Sequence, residues 1–282
     1  MSTERTIGEI MQCEFAIAKR WFRFGILGQW LLVAVVAVAI IFNKGGNIFV
    51  ICITFLGPLL VLFFREVGNY YYQKGEKIRH FYLLQQGLGI EPSETEMLNL
   101  YACATSAKTS EPNPMGNYYS SHYADGFPKL LHHLQESAFW TESQARLTMF
   151  VHYTLGVVGS LASILLAIVW LYKGGGYANA DHAKLFATLL LFFVAQTELP
   201  IARSFYSLSK TAGEVVSKAS SLRKEPRIDF VDILKIISTY NSALAKAMPL
   251  PGYSYRYLQK KLNAAWEVVQ KNESSNINAS EK

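Results

Sequence analysis

Charge is scarce in this chain, and over long stretches it is missing altogether. Asp, Glu, Lys and Arg make up 17% of the 282 residues, against 51% hydrophobic. Four apolar runs, 24–42, 48–64, 147–171 and 185–201, contain no Lys, Arg or Asp. Each is about as long as the roughly 17–25 residues with which a helix crosses ~30 Å of hydrocarbon. A buried helix of a soluble protein seldom runs this far without a charge. Cysteine is equally sparse. The three residues Cys13, Cys52 and Cys103 are scattered and form no C-x-x-C pair, so no disulfide framework is implied. No strand-like alternation appears, and no internal repeat beyond the crude duplication of the apolar pairs. The expected class is all-α: a polytopic membrane protein with four transmembrane helices in two hairpins and helical cytosolic regions.

The basic residues that are present orient the chain. The arm 1–23, the segment 65–146 and the region from 202 onward hold 24 Lys and Arg, whereas the two short connections hold three, Lys44, Lys173 and Lys184. Cytoplasmic loops retain positive charge, so the arm, the insert and the tail are expected inside, and both short loops outside. The net charge of +6 then needs no nucleic-acid polymer as partner, because anionic lipid headgroups account for it. The arm carries Glu4, Glu9 and Glu14, and the first run reads as an uncleaved anchor rather than a signal peptide.

Organisation follows from periodicity and punctuation. In the arm, Ile7, Ile10, Met11, Ile17 and Trp21 gather near one helical face, giving an amphipathic helix on the inner leaflet or against the insert. Tyr70, Tyr71 and Tyr72 form an aromatic belt after the second run. That helix should continue through Lys77, Arg79 and Phe81 and stop at Gly87 and Gly89. Ser93 and Glu96 are spaced as a capping box, and a helix through Leu98, Leu100 and Tyr101 should follow. Residues 107–127 read as an irregular loop, and 128–137 as a short helix with Leu130, Leu131 and Leu134 inward. Thr141 and Gln144 have the spacing of a second capping box, which sets the start of the third span near 147. Asp229 should cap a helix carrying Phe230, Ile233, Leu234, Ile237 and Leu244, ended by Pro249 and Pro251. Leu258, Leu262, Trp266 and Val269 predict a last helix within 202–270, followed by a disordered tail over 271–282.

Polar residues within the apolar runs are the first candidates for function, since lipid tolerates them only opposite a partner or water. Gln29 and His152 lie five residues from their cytosolic ends and Glu198 three, which places all three within ~8 Å of the inner interface. They could form a polar constriction or gate, or an ordinary His–Glu hydrogen bond between packed helices. Gly57 and Pro58 should kink the second run. The pairs Gly156/Ser160 and Gly159/Ser163 permit close helix contact. In the insert, Tyr118, Tyr119 and His122 with the basic Lys77 and Arg79 could stack on a nucleobase and meet its phosphate; a subunit or membrane contact is the alternative.

Catalytic patterns are weak. Ser120, Ser121, His122 and Asp125 contain the letters of a hydrolase triad, but triad members converge from distant segments. His122, His132 and His133 lack metal-ligand spacing. Gly174, Gly175 and Gly176 lack the Gly-Lys-Ser/Thr of a phosphate loop. No enzyme, metal or cofactor is expected.

Two runs, an insert of about eighty residues, two more runs and a helical tail resemble the SMODS-associated four-transmembrane effectors, pore-formers of bacterial anti-phage cyclic-nucleotide signalling. Asn117, Tyr118 and Tyr119 look like that family's Asn-Trp-Tyr region, with Tyr where the family carries Trp. The stretch from Gln135 through Trp140 and Gln144 to Arg146 looks like its entry to the third span. Tyr240, Asn241, Pro249, Pro251, Tyr253, Arg256, Leu262, Asn263 and Trp266 look like its C-terminal signature. The resemblance implies a multi-pass protein of the bacterial inner membrane with both termini cytoplasmic. It also implies a homo-oligomer that binds a cyclic oligonucleotide made by a cGAS-like nucleotidyltransferase and then permeabilises the membrane. A constitutive ion channel or transporter, and a membrane scaffold recruiting a soluble partner, are the alternative expectations.

Overall fold

A computed structural model describes residues 7–41, 48–91, 93–103, 119, 121, 123–173, 177–225 and 227–280, in part by backbone alone. These residues contain no strand, and the protein is all-α as expected. The helices are α1 (Ile7–Ile41), α2 (Ile48–Leu88), α3 (Glu94–Cys103), α4 (Phe127–Lys173), α5 (Tyr177–Leu222), α6 (Phe230–Lys246) and α7 (Gly252–Ser280).

Two hairpins dominate, α1 against α2 and α4 against α5, joined chiefly between α2 and α4. The four long helices have 35, 41, 47 and 46 residues, so at 1.5 Å per residue each is about 50–70 Å long. Each carries its apolar run toward one end and a mixed polar segment toward the other. The described residues of segment 65–146 are largely the polar ends of α2 and α4 plus the short α3. α6 packs on α5 and α2, and α7 runs along α4.

Ordinary hydrophobic burial occurs in the polar-surfaced half. Leu83, Leu130, Leu131, Leu134, Phe205, Leu208, Val215, Ile233, Ile237 and Tyr240 form one buried cluster. A smaller cluster joins Ile7, Ile10 and Met11 of α1 to Ile78 of α2. The amphipathic arm thus packs against α2 within segment 65–146, one of its two expected settings.

Local signals set several boundaries. The Gly89 N–H donates to Gln85 O at 2.9 Å from a left-handed φ of +68°, a C-terminal cap that glycine makes without strain. Gly87 answers a different need: a Cβ there would stand 2.9 Å from Leu130 Cα. The Ser93 box is formed in both directions, Ser93 N to Glu96 Oε2 at 2.9 Å and Glu96 N to Ser93 Oγ at 3.3 Å. Asp229 Oδ1 accepts from Val231 N at 2.9 Å.

Three expectations are corrected. The short helix 128–137 and the capping box at Thr141 do not exist as separate features, because α4 is continuous from Phe127. Gly126, at φ +144°, makes the turn, and Pro128 sits in the first helical turn, where no backbone N–H is needed. The Thr141 hydroxyl instead pairs with the Tyr240 hydroxyl at 2.8 Å. At the other end, α7 stays helical through Ser280, past Lys271, where a disordered tail was the expectation.

Among the described residues no helix is long and apolar enough to cross a membrane. Much of the four runs lies outside that description, the side chains of 39–51 and 173–196 included, and with them the hydroxyl of Thr54.

Candidate functional site

A buried polar layer lies where the apolar runs give way to the polar half. Gln29 of α1 is buried and accepts a hydrogen bond on Oε1 from Arg65 Nη2 of α2. Gly25 allows this reach, since a Cβ there would come 3.2 Å from Arg65 Cγ. His152 Nδ1 of α4 and Glu198 Oε2 of α5 are 2.7 Å apart, both buried, and the imidazole stacks on Phe205 at 6.1 Å. Burial lowers the Arg65 pKa while the Glu198 carboxylate opposes that shift, so the two pairs feel one another. Tyr253 of α7 completes the layer. Burial raises its phenol, a hydrogen bond with Thr148 acts the other way, and Glu198 adds to the rise.

Gln29, His152 and Glu198 thus lie at one level on three helices, and two of them pair. Sequence reasoning missed Arg65, counting it only as a cytosolic cation, and Tyr253. A cation whose partners are 36 positions away on α1 and across on α5 leaves no local pattern. Two buried donors, Gln29 Nε2 and Arg65 Nε, have no hydrogen-bond partner among the described residues. Chemically the layer offers a cation, a carboxylate and an imidazole in one plane and no activated nucleophile. Nearby, Gly57 allows close contact between α1 and α2, since a Cβ there would meet Leu32 Cδ1 at 2.5 Å. Ser160 Oγ donates to Gly156 O at 2.8 Å within its own helix.

The second candidate site takes a form different from the one expected. Tyr119 is buried, stacked on His133 at 4.4 Å and 12° and on Tyr82 at 6.1 Å and 25°. Tyr123 meets His132 at 5.6 Å, and His132 meets Trp266 of α7 at 5.3 Å. Arg223 lies over Tyr123 and donates to Gln135 Oε1. Burial, with His132 and Lys129 nearby, pushes the His133 pKa down to about 3, so its imidazole stays neutral.

Arg79 turns into the helix packing. It is buried, bonds Glu76 Oε2 and Ser137 Oγ at 2.8 Å each, and lies over the Tyr240 ring at 5.1 Å. Lys77 is exposed. Tyr118 and His122 fall outside the described residues. Of the described ones among the five singled out for ligand contact, Tyr119 and Arg79 are buried in helix packing and Lys77 is exposed.

A groove of about 350 Å³ opens between α5 and α6, lined by Val215, Lys218, Leu222, Asp232, Ile236 and Thr239 among others. None of the residues selected from sequence as sites lines it. Among the described residues no cluster of three or more His, Cys, Asp or Glu could hold a metal ion. Comparison with known proteins found no matching family model, no matching curated protein and no matching solved structure.

Proposed function

We propose that the chain is a four-span membrane effector of bacterial anti-phage defence: a homo-oligomer in the inner membrane, both termini cytoplasmic, that permeabilises the bilayer when its helical cytosolic half binds a cyclic oligonucleotide. It acts by conduction and not by catalysis. One observation carries the membrane half of this reading. Along the same long helices, apolar side chains are buried in the polar half and exposed in the runs. Leu27, Leu31, Leu56, Leu59, Leu60, Phe150, Val158, Leu161 and Leu165 are all exposed. Among the described large core residues, only Val61 and Ile201 fall within the runs. An uncharged apolar surface of this extent calls for lipid or other subunits.

The polar layer supports a gate at the inner mouth. It joins both hairpins where the runs end, and Tyr253 links it to the C-terminal helix. The ligand half rests on the resemblance. A ligand opens such a gate only by preferring the open arrangement, and a shift from 1:99 to 99:1 asks for about 5.5 kcal/mol of preference.

The test is dye release from vesicles holding the full chain, against a panel of cyclic oligonucleotides, with tags near residues 45 and 176 reporting topology. Release by one ligand, with both tags reachable from the periplasm of cells, is expected. Sealed vesicles under every ligand would remove the effector reading. Leakage without ligand would favour a constitutive channel. Tags accessible only from the cytosol would remove the topology.

A further inference from the structure

We propose that the outer face of the first turns of α7 binds the anionic headgroups of the inner leaflet, through Arg256 and Lys260 flanked by Tyr257. This inference rests on the four-span reading and adds a lipid-recognition surface to it.

The level of the surface comes from its neighbours. Ser254 Oγ reaches Gln144 Oε1 at 3.4 Å, three residues before the third run. A Cβ at Gly252 would stand 3.3 Å from Arg23 Nη2, one residue before the first run. α7 therefore starts level with the cytosolic ends of the runs. It then leads away from them, because Tyr255 meets Trp140 while Trp266 meets Phe139 and His132. The side of α7 holding Ser254, Leu262 and Trp266 is buried.

Residues 253, 256, 257 and 260 share the opposite side by their spacing of three and four. Tyr253 is 39% exposed and Tyr257 77%, and Arg256 and Lys260 are exposed. From 252 to 266 the helix carries three cations, Arg256, Lys260 and Lys261, and no acid, while the exposed Arg23 stands beside its first turn. Seven residues of helix span about 10 Å, which long basic side chains cover by extending toward the interface. Tyr257 suits the same depth, its ring among acyl carbons and its hydroxyl in water. Aromatic rings and cations at this depth, with the helix's first acid only at Glu267, match a phosphate-bearing headgroup layer. A protein partner has no reason to be matched at that level only.

The experiment titrates the detergent-solubilised full chain with short-chain phosphatidylglycerol, short-chain phosphatidylcholine and inorganic phosphate, reading binding by thermal shift. Saturable binding of phosphatidylglycerol alone is expected. Each cation removed should weaken it roughly five-fold, so the double variant Arg256→Ala/Lys260→Ala should bind about 25-fold more weakly. Lys271→Ala, on the same face about 16 Å further along, should bind as wild type. Equal binding of phosphatidylcholine, full competition by inorganic phosphate, or an unweakened double variant would each overturn the proposal. Flotation of the wild-type chain with vesicles is scored separately. Failure to float with any lipid would remove the four-span reading itself, whereas flotation with an unweakened double variant would remove only the headgroup surface.

Discussion

Replacing Arg79 by Met separates a ligand-contact role from a packing role. The guanidinium ties three helices: Glu76 on its own α2, Ser137 on α4 and the Tyr240 ring on α6. Its side chain is 6% exposed and that of Glu76 14%. Methionine keeps most of the stem but strands the Glu76 carboxylate, which then leans on Tyr72, a phenol raised far up by burial and by Glu76 itself. Breaking a buried pair from one side costs about 3–5 kcal/mol. Partial exposure of Glu76 puts the expected loss near the lower figure, or roughly 5–10 °C in Tm for a chain of this size.

The double variant Arg79→Met/Glu76→Gln leaves no lone charge and should regain much of that loss, since replacing both partners is far milder than removing one. Thermal unfolding of the purified protein, followed by the fluorescence of its five tryptophans, reads both variants. If Arg79→Met melts with the wild type and only ligand response suffers, the buried network is not what holds α2 to α4 and α6. The reasoning from its geometry then fails.

Other perturbations test other parts of the same argument. Gly87→Ala forces a methyl to 2.9 Å from Leu130 Cα and 2.8 Å from its Cδ1, and should cost about 1–3 kcal/mol by overpacking; an unchanged melt would show that α2 and α4 are not held this close. His133 takes no proton in the fold until about pH 3, whereas in the unfolded chain it titrates near its ordinary 6.5. Its contribution is therefore complete above 6.5 and lost as pH falls toward 3. Melts recorded across that window should be flatter for His133→Phe than for wild type, and equal slopes would contradict the burial of a neutral ring. Glu198→Ala strands His152 and removes the carboxylate near Arg65, so it should destabilise by about 3 kcal/mol and alter ligand-free dye leakage. Unchanged stability and leakage would deny the layer any role as a clasp between the hairpins.

What the sequence makes legible is local. The caps at Ser93 and Asp229 are hydrogen bonds between residues two or three apart, so spacing reveals them. The common level of Gln29, His152 and Glu198 follows from helical rise alone. The capping pattern at Thr141 misleads because a continuing helix tolerates the same letters, and the partner that claims its hydroxyl, Tyr240, lies 99 positions away. Arg79 and Tyr119 are visible as residues suited to a phosphate and a base, yet burial in a three-helix contact is a tertiary fact. Several residues carrying the family resemblance act in the same way. Tyr240 bonds Thr141, Asn241 meets His80 Nδ1 at 3.0 Å, Gln135 accepts from Arg223, and Trp266 packs on His132 and Phe139. Their pattern across the sequence is that of bolts between helices.

The inverted burial along the long helices bears on what covers them. Among the described residues, 21 large apolar side chains within the four runs are exposed, by between 37% and 66%. Full exposure of such a side chain forfeits about 1.5–3 kcal/mol, so half-exposure forfeits roughly 1 kcal/mol each and about 20 kcal/mol together. A folded domain holds about 5–15 kcal/mol in total. The unfolded chain exposes the same side chains, so this sum is not subtracted from that stability; it is the gain open to an apolar surface that covers the runs. Other copies could cover one side of a hairpin, but copies on the rim of any closed ring still turn an outer side outward. A bilayer, as proposed above, would cover that remainder without further contacts. Purification without detergent separates the two: precipitation or loss of the protein is expected, and a monodisperse species in plain buffer, whether monomer or ring, would mean that protein alone covers these faces.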